Sequence, residues 1–369
     1  MVVPFVDLKT QYYQIKDEID NAIEKVINDT AFIRGKYVEK FEIDFSESYG
    51  VKHVISCGNG TDAIYISMKA LDIGPGDEVI TTSSSWISTS QTITQTGAKV
   101  VFVDIDPEYF TIDPSQIEKK ITEKTKAIIP VHLYGHPANM TEIIKIANNY
   151  NLEIIEDCAQ AHFAKWGGKN VGTFGIAGTF SFYPGKNLGA YGDAGCIITN
   201  NDEFAHKAKM YCNHGAIKKH CHIIEGINSR MDGMQAAIIS VKLKYINKWT
   251  KLRQHNAELY NNLFTSIINV NQPVIHPNAS HVFHLYVIKV DKRDELMDYL
   301  KIKNISTGLH YPNPLPFLEA YKRFNSKPGD FPISYSLKNK ILSLPMYPEL
   351  STEQIHYSVE MVKKYYKGL

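Results

Sequence analysis

One lysine lies in a setting that could lower the pKa of its amine. Lys186 follows the apolar, strand-like run 178–182 and stands inside the segment 181–189, SFYPGKNLG, with further glycines at Gly192 and Gly195. These glycines let the backbone come close to a ligand. A partly dry amine loses its proton below the ~10.4 of free lysine, and the neutral form attacks carbonyls. Lys186 is therefore a candidate for Schiff-base chemistry; the alternative is a surface lysine in a glycine-rich loop.

A carboxylate and an amide follow a second apolar strand. Asp157 ends the run 153–157, and Gln160 comes three residues later. An aromatic nitrogen heterocycle that acts as an electron sink needs its ring nitrogen protonated, and a semi-buried carboxylate such as Asp157 holds that proton. Gln160 could then donate to a ring hydroxyl. The alternative for Asp157 is a helix N-cap.

Small and aromatic residues after other strands suit the rest of such a ligand. The loop 57–62, CGNGTD, opens a helical pattern, so the N–H groups near Gly60 and Thr61 could hold a phosphate together with the Ser181 hydroxyl. Trp86 could stack on a ring, or could simply pack in the core. The dinucleotide fingerprint is absent, because Ala63 stands where its third glycine belongs. Together, these residues describe a pyridoxal phosphate (PLP) site better than a site for another cofactor.

An alternating order of strands and helices can gather these distant residues. Strand-like runs at 51–56, 78–81, 99–103, 127–131 and 153–157 are separated by helical patterns, including one at 114–121. Such alternation predicts an α/β fold with a mostly parallel sheet, whose ligands bind at the carboxyl ends of the strands.

The last third of the chain has a different pattern. A long helical run over 235–254 predicts a connector, followed by alternating, strand-like residues at 281–290 and a further strand at 305–310. Helices are predicted at 292–303 and 351–365. We therefore predict a large domain, residues 1–245, and a smaller C-terminal α+β domain, residues 246–369.

Composition narrows the possible partners and location. The 369 residues carry a formal charge of +1 and 21% charged residues, so no global field favours nucleic acid or an anionic membrane. No apolar stretch is long enough for a membrane span, and the first residues do not resemble a signal peptide, which predicts a cytoplasmic protein.

The cysteines predict neither disulfides nor a metal site. Five cysteines form an odd set without CxxC spacing. The one local Cys/His cluster does not fit a common zinc pattern, so no metal is expected there. Its members are Cys212, His214, His220, Cys221 and His222.

Four ordered motifs resemble the DegT/DnrJ/EryC1/StrS family of sugar-nucleotide aminotransferases, and the resemblance runs nearly end to end. The motifs are 58–63 (GNGTDA), 156–162 (EDCAQAH), 181–189 with 192–195 (GDAG), and 226–232 (GINSRMD) with 235–237 (QAA). The resemblance implies the aspartate aminotransferase type I fold, with a mostly parallel seven-stranded sheet in the PLP-binding domain. It also implies a homodimer with sites at the subunit interface.

The resemblance also assigns roles to individual residues. It implies that Lys186 forms the Schiff base and carries protons. The remaining PLP contacts that it implies are Asp157 at the ring nitrogen, Gln160 near the ring hydroxyl, Trp86 on the ring, Gly60, Thr61 and Ser181 around the phosphate, and Asn228 at the partner subunit's phosphate. Candidates for the substrate are Tyr183, Arg230, His310 and Tyr311.

The implied reaction moves an amino group from glutamate to a keto sugar on a nucleotide diphosphate, with PLP alternating with pyridoxamine phosphate. The opening residues 5–8 (FVDL) resemble members acting at C3 more than those acting at C4. Family dehydratases carry histidine in place of Lys186, so the lysine favours transamination. The products serve O-antigens, lipopolysaccharide, capsules or antibiotics. A dehydratase, an inactive regulator and a sugar-nucleotide-binding scaffold remain alternatives.

Overall fold

The structure is a computed structural model that describes residues 1–368. Its helices alternate with strands through the first 245 residues. The α-helices of this part are α1 (Leu8–Gln14), α2 (Lys16–Asn28), α3 (Lys36–Tyr49), α4 (Gly60–Ala70), α5 (Ser88–Gln95), α6 (Met140–Tyr150), α7 (Asp202–Tyr211) and α8 (Gly233–Leu243). Four more follow: α9 (Ile246–Phe264), α10 (Arg293–Ile302), α11 (Pro332–Leu337) and α12 (Thr352–Lys367). None of the helices in the described residues is long and apolar enough to cross a bilayer.

The strands fall into one large sheet and several small ones. In chain order they are β1 (His53–Cys57), β2 (Glu78–Thr82), β3 (Lys99–Val103), β4 (Thr125–Ile129), β5 (Glu153–Asp157), β6 (Lys165–Trp166), β7 (Lys169–Asn170), β8 (Ala177–Ser181), β9 (Gly195–Thr199), β10 (Ala216–Lys218), β11 (Cys221–His222), β12 (Val270–Asn271), β13 (Ala279–Ser280), β14 (Tyr286–Val290) and β15 (Ile341–Leu344).

The central sheet has seven strands in the order β1-β9-β8-β5-β4-β2-β3. The five strands from β8 to β3 run parallel, whereas β9 is antiparallel to both β8 and β1. The predicted α/β class with a mostly parallel seven-stranded sheet is confirmed. Strands β2 and β9 are buried along their whole length, as expected when helices cover both faces of a sheet.

The C-terminal part of the chain builds a smaller unit around the antiparallel sheet β12-β14-β15. Helix α9 and helix α12 pack on it, and their apolar faces share one core with the sheet. The predicted boundary at 245/246 falls between α8 and α9, and the division itself stays a prediction. The start of the chain crosses that boundary, because Val3 is buried in the same C-terminal core and pairs with Ile305.

Two of the predicted helical segments are wrong in detail. Residues 114–121 form two 3-10 turns instead of an α-helix, with Ile117 and Lys120 each bonding back three residues. The segment is short and has few apolar residues to bury, which favours isolated turns. The predicted helix 235–254 is divided into α8 and α9 at Lys244 and Tyr245, whose N–H groups bond three residues back.

The predicted strand 305–310 is also wrong. Only single bridges form there, between Ile305 and Val3 and between Gly308 and Ser343. The strand predicted for 281–290 begins only at Tyr286, so the residues before it are free to turn toward the sheet's ligand-binding edge. The alternation of apolar and polar residues did not predict where these strands begin and end, because pairing partners that are distant in sequence determine it.

Candidate active site

A cavity of about 910 Å³ opens at the carboxyl ends of the parallel strands, where the C-terminal unit meets the sheet. Most of the residues that the sequence singles out line it, although they come from positions 60 to 311. These are Gly60, Thr61, Trp86, Asp157, Gln160, Ser181, Tyr183, Lys186, His310 and Tyr311.

Asp157, at the end of β5, presents a buried carboxylate to the cavity. Its Oδ2 accepts a hydrogen bond of 2.8 Å from the Thr89 hydroxyl, and its Oδ1 accepts one of 3.1 Å from the Ala159 N–H. Burial raises the pKa of Asp157, while these two bonds and the nearby Lys186 oppose the rise. The carboxylate is thus held in one orientation, suited to sharing a proton with a basic ring nitrogen.

Lys186 lies in the turn that follows β8. Its N–H donates to the Tyr183 carbonyl at 2.8 Å, and the turn is held further on by the buried Lys242, whose Nζ donates 2.7 Å to the Gly189 carbonyl. Burial lowers the pKa of the Lys186 amine to about 8, and the negative charge of Asp157 opposes this shift. The shift makes the neutral amine, the form that Schiff-base chemistry requires, more accessible near neutral pH.

The charge of Lys186 acts on three histidines, and burial lowers the pKa of each. The value falls to about 3 for His162, to about 4 for His310 and well below 6.5 for His284, and the positive charge of Lys186 contributes to every shift. These imidazoles are therefore neutral near neutral pH.

The turn before α4 forms a cradle beside β8. Asn59 caps the helix by accepting a 2.9 Å bond from the Asp62 N–H, and the Thr61 hydroxyl lies 2.8 Å from the Ser88 hydroxyl. A Cβ on Gly60 would lie 2.6 Å from the Ser181 Cβ, so only glycine allows this approach. The approach places the free N–H groups of the helix start beside a serine hydroxyl, which suits a phosphate.

The opposite wall is aromatic and polar. Gln160 accepts a 2.6 Å bond from the Tyr134 N–H and donates 2.9 Å to the Tyr311 hydroxyl. The exposed Trp86 ring lies 5.7 Å from the Tyr311 ring, and Phe5 stacks on His310 at 5.6 Å. Trp86 and Tyr311 thus form an aromatic wall of the cavity.

Two predicted residues do not line this cavity within one chain. Asn228 is exposed, and its neighbour Ser229 is tied to the Gly58 N–H at 2.9 Å. Arg230 lines a second cavity of about 330 Å³, together with Arg34 and Lys209. The substrate role expected for Arg230 therefore cannot be exercised in the main cavity of its own chain.

Several residues of the cavity were not singled out from the sequence. Thr89 holds Asp157 from the first turn of α5, and Arg253 and His284 line the wall formed by the C-terminal unit. Arg253 stands in an ordinary amphipathic helix pattern and His284 in an alternating run. No local signal distinguishes them, because only the packing of the two units brings them to the cavity.

One cluster in the described residues has metal-ligand types close together: His132, Glu156 and Cys158, all buried. The polar side-chain atoms of His132 and Glu156 already have protein partners. His132 Nδ1 accepts a 3.0 Å bond from the Ala138 N–H, so its Nε2 donates at 3.0 Å to Glu156. Glu156 also accepts from three backbone N–H groups, at Gly172, Phe174 and Gly175. The cluster is a hydrogen-bonded support behind Asp157.

The segment with the local Cys/His cluster forms the hairpin β10–β11. Cys212 is buried and Cys221 is exposed, so the two thiols lie in different environments. His222 Nδ1 bonds the His214 carbonyl at 2.8 Å instead of pointing to the other side chains.

Comparison with known proteins gives a consistent assignment. Residues 13–363 match the model of the DegT/DnrJ/EryC1/StrS aminotransferase family. A "pleiotropic regulatory protein" of Geobacillus stearothermophilus is 47% identical to this chain, and the alignment covers 100% of this chain and 99% of the relative. The dTDP-3-amino-3,6-dideoxy-alpha-D-galactopyranose transaminase of Aneurinibacillus thermoaerophilus is 41% identical, covering 99% of both chains.

A solved structure agrees over the same span. DesV of Streptomyces venezuelae, crystallised with a ketimine intermediate, superposes with a TM-score of 0.96 at 37% identity, covering 99% of this chain and 98% of that one.

The site fits PLP on the chain's own features. A buried carboxylate, an amine of lowered pKa and a glycine-edged cradle at a helix start lie around one cavity, as the cofactor's ring nitrogen, aldehyde and phosphate require. The family that matches almost the whole chain depends on this cofactor. The chain belongs to the DegT/DnrJ/EryC1/StrS aminotransferase family and is a PLP-dependent aminotransferase.

Proposed function

We propose that the protein moves the amino group of L-glutamate to C3 of a nucleotide-linked keto-deoxysugar. The observation that carries this proposal is the meeting of Lys186 and Asp157 in one cavity that also has room for a sugar. The Aneurinibacillus transaminase, whose name places its amino group at C3, supports the position. Phe5 and Val6, from the opening segment that resembles C3-acting members, lie at the cavity wall.

The residues that would hold PLP surround the cavity. Asp157 would pair with the ring nitrogen, Trp86 would stack on the ring, and Gln160 would lie near the ring hydroxyl. The N–H groups after Gly60, with the hydroxyls of Thr61 and Ser181, would hold the phosphate, because a helix start favours an anion.

The chain's contribution to catalysis is positioning and proton transfer. When bound, PLP supplies an electron sink for the charge that develops at the reacting carbon. Nζ of Lys186 takes the proton from the donor's α-carbon and later gives one to the sugar carbon, and its pKa of about 8 suits both directions near neutral pH. Asp157 would hold the proton of the ring nitrogen. Because burial keeps His310 and His284 neutral, Lys186 is the group that would exchange protons.

Tyr183, His310 and Tyr311 are proposed to contact the sugar nucleotide. Tyr183 is exposed at the cavity rim, whereas His310 is held by a 2.8 Å bond to the Ser343 hydroxyl and by stacking on Phe5. Such fixed rings can bind a sugar with little loss of side-chain entropy.

A homodimer would complete the site. Asn228 of the partner subunit would reach the cofactor phosphate, and Arg230 of the partner subunit would reach the substrate diphosphate. Exposed apolar side chains near the second cavity support a subunit interface there. They are Phe32, Ile33, Ile217, Ile223 and Ile224.

The proposal is tested by incubating the PLP-loaded protein with L-glutamate and a panel of dTDP-, UDP- and GDP-linked 3-keto and 4-keto sugars. Mass spectrometry of the products should show replacement of one oxo group by an amino group, and NMR should place it at C3. Lys186→Ala should abolish the product. Amination only at C4 would contradict the position, and the absence of any amination would contradict the function.

The name of the Geobacillus relative favours a second candidate, a regulator that retains the cofactor pocket. If the protein is a regulator, we expect glutamate not to convert bound PLP to pyridoxamine phosphate. If it is a transaminase, glutamate must convert it. A dehydratase would release water from the sugar without consuming glutamate. A non-catalytic scaffold would bind nucleotide sugar equally well after Lys186→Ala.

The use of the amino sugar in O-antigen, lipopolysaccharide, capsule or a related product stays a prediction, as does a cytoplasmic location.

A further inference from the structure

Two of the sequence motifs, GDAG and QAA, have no part in the chemistry proposed above, and the structure joins them. Gln235 begins the second motif and lies in the first turn of α8. Its Oε1 accepts a hydrogen bond of 2.9 Å from the Tyr191 N–H, directly before the first motif. A Cβ on Gly192 would lie 3.0 Å from the Gln235 Nε2. Helix α8 therefore contacts the segment that follows Lys186.

A second residue of α8 contacts the same segment. Lys242 is fully buried, and its Nζ donates 2.7 Å to the Gly189 carbonyl and lies 4.2 Å from the centre of the Tyr191 ring. Gln235 and Lys242 are about two helical turns apart, so they lie on one face of α8. That face holds the segment at two points.

The segment held by α8 and the backbone of Lys186 belong to one compact turn, residues 183–191, which we call the lysine turn. The Lys186 N–H donates 2.8 Å to the Tyr183 carbonyl. A Cβ on Gly189 would lie 2.3 Å from the Pro184 carbonyl oxygen, so these two parts of the turn touch. A shift of Gly189 must therefore also move the backbone around Lys186.

The charge of Lys242 is unfavourable where it lies. Burial lowers the pKa of Lys242 to about 8, with the charge of Glu349 opposing. An apolar side chain of the same length would avoid this desolvation, but it would leave the Gly189 carbonyl without its donor. We propose that Lys242 and Gln235 are positioning residues that fix the lysine turn, so that the Lys186 amine keeps one position in the cavity. The inference rests on the role proposed for Lys186 and extends it to α8.

Hydrogen exchange in the PLP-loaded protein tests the positioning without using activity. Lys242→Met keeps the length of the side chain and removes the donor, so peptides that cover the lysine turn should exchange about tenfold or more faster. Peptides from α4 should change less than about threefold. Unchanged exchange in the lysine turn, or an increase of the same size over the whole chain, would overturn the proposal.

Kinetics with a matched control separate positioning from stability. A displacement of about 1 Å can slow a reaction by about 10²-fold, so Lys242→Met should lower kcat by about 10- to 100-fold while KM for L-glutamate changes less than about threefold. The control is Ile238→Ala: Ile238 is also buried on α8, but it packs with Ile15 and Ile19. This variant should lower the thermal unfolding midpoint and keep kcat within about threefold. Equal losses of kcat in both variants would assign Lys242 to general stability and contradict the proposal.

Gln235 allows a conservative comparison. Gln235→Glu keeps an oxygen that can accept from the Tyr191 N–H, so kcat and the exchange of the lysine turn should stay within about threefold of wild type. Gln235→Met removes the acceptor and should lower kcat by about tenfold. If both variants are equally slow, the hydrogen bond is not what positions the turn, and the role of Gln235 is overturned.

A chemical trap distinguishes failure of this inference from failure of the proposed function. Borohydride reduction of the wild-type PLP-loaded protein, followed by mass spectrometry, should find PLP fixed to Lys186. If PLP is not fixed there, the role proposed for Lys186 fails, whatever the hydrogen exchange shows. If PLP is fixed there and Lys242→Met changes neither exchange nor kcat, only the positioning by α8 is wrong.

Discussion

At the scale of single residues, the pKa of Lys186 sets a testable pH dependence. Burial lowers this pKa to about 8, with Asp157 opposing. Only the neutral amine attacks the aldehyde of PLP, so the rate at which the apoprotein takes up PLP covalently should rise about tenfold per pH unit below 8 and then level off. Stopped-flow absorption between pH 6 and 9.5 measures this rate. A rise that continues without levelling off to pH 9.5 would show an ordinary lysine.

Asp157 is the residue whose charge acts on the cofactor. Asp157→Asn keeps the size of the side chain and removes the carboxylate that holds the proton of the ring nitrogen. Turnover should fall by at least about 10²-fold, since the charge that develops at the reacting carbon loses its sink. Glu153→Gln, at the exposed start of the same strand, is the control and should retain activity. Steady-state kinetics with PLP at saturation distinguish this effect from weaker cofactor binding.

At the scale of elements, the approach of α4 to β8 depends on one glycine. Gly60→Ala would place its Cβ 2.6 Å from the Ser181 Cβ and 3.1 Å from the Ser181 Cα. The start of α4 must then move away from β8. This should weaken PLP binding by about tenfold and lower the free energy of unfolding by about 1–3 kcal/mol. Gly74→Ala, whose Cβ meets only the Thr96 carbonyl at 3.5 Å, should change neither quantity. Cofactor titration and thermal unfolding of the apoprotein provide both values.

The buried carboxylate of Glu156 joins β5 to the loop that leads into β8. It receives four hydrogen bonds, from His132, Gly172, Phe174 and Gly175. Glu156→Gln puts an amide donor where two of these donors point, so the free energy of unfolding should fall by about 2–4 kcal/mol. Chemical denaturation of the apoprotein measures the loss. A change as small as that of Glu153→Gln would show that the network adds little.

At the scale of the whole molecule, the proposed dimer predicts that two defective chains can complement each other. One chain carries Lys186→Ala and the other carries both Asn228→Ala and Arg230→Ala. If Asn228 and Arg230 act on the partner subunit's site, each mixed dimer has one intact site and one doubly defective site. After unfolding and refolding together, the mixture should regain about a quarter of wild-type activity.

The refolding experiment has a clear opposite outcome. If Asn228 and Arg230 served their own chain, mixed dimers would have no intact site and the activity would not rise above that of the separate variants. Analytical ultracentrifugation of each variant shows whether the dimer forms at all. A monomer with full activity would exclude a shared site.

The sequence by itself determined the fold class, the seven-stranded sheet implied by the family resemblance, and the gathering of Lys186, Asp157 and the Gly60 turn. The fold class and the gathering of these residues follow from local patterns, because each residue stands at or just past the end of its own strand and parallel strands end at one edge. The number of strands came only from the resemblance. Only the tertiary structure decided which residues of the C-terminal unit reach the cavity, such as Arg253 and His284. It also decided that Arg230 faces a different cavity of its own chain and that residues 305–310 do not form a strand. The physical reason is that these positions depend on how the N-terminal and C-terminal parts of the chain pack against each other. A contact between segments that are distant in sequence does not change the hydrophobic periodicity of either segment, so the sequence pattern does not reveal it.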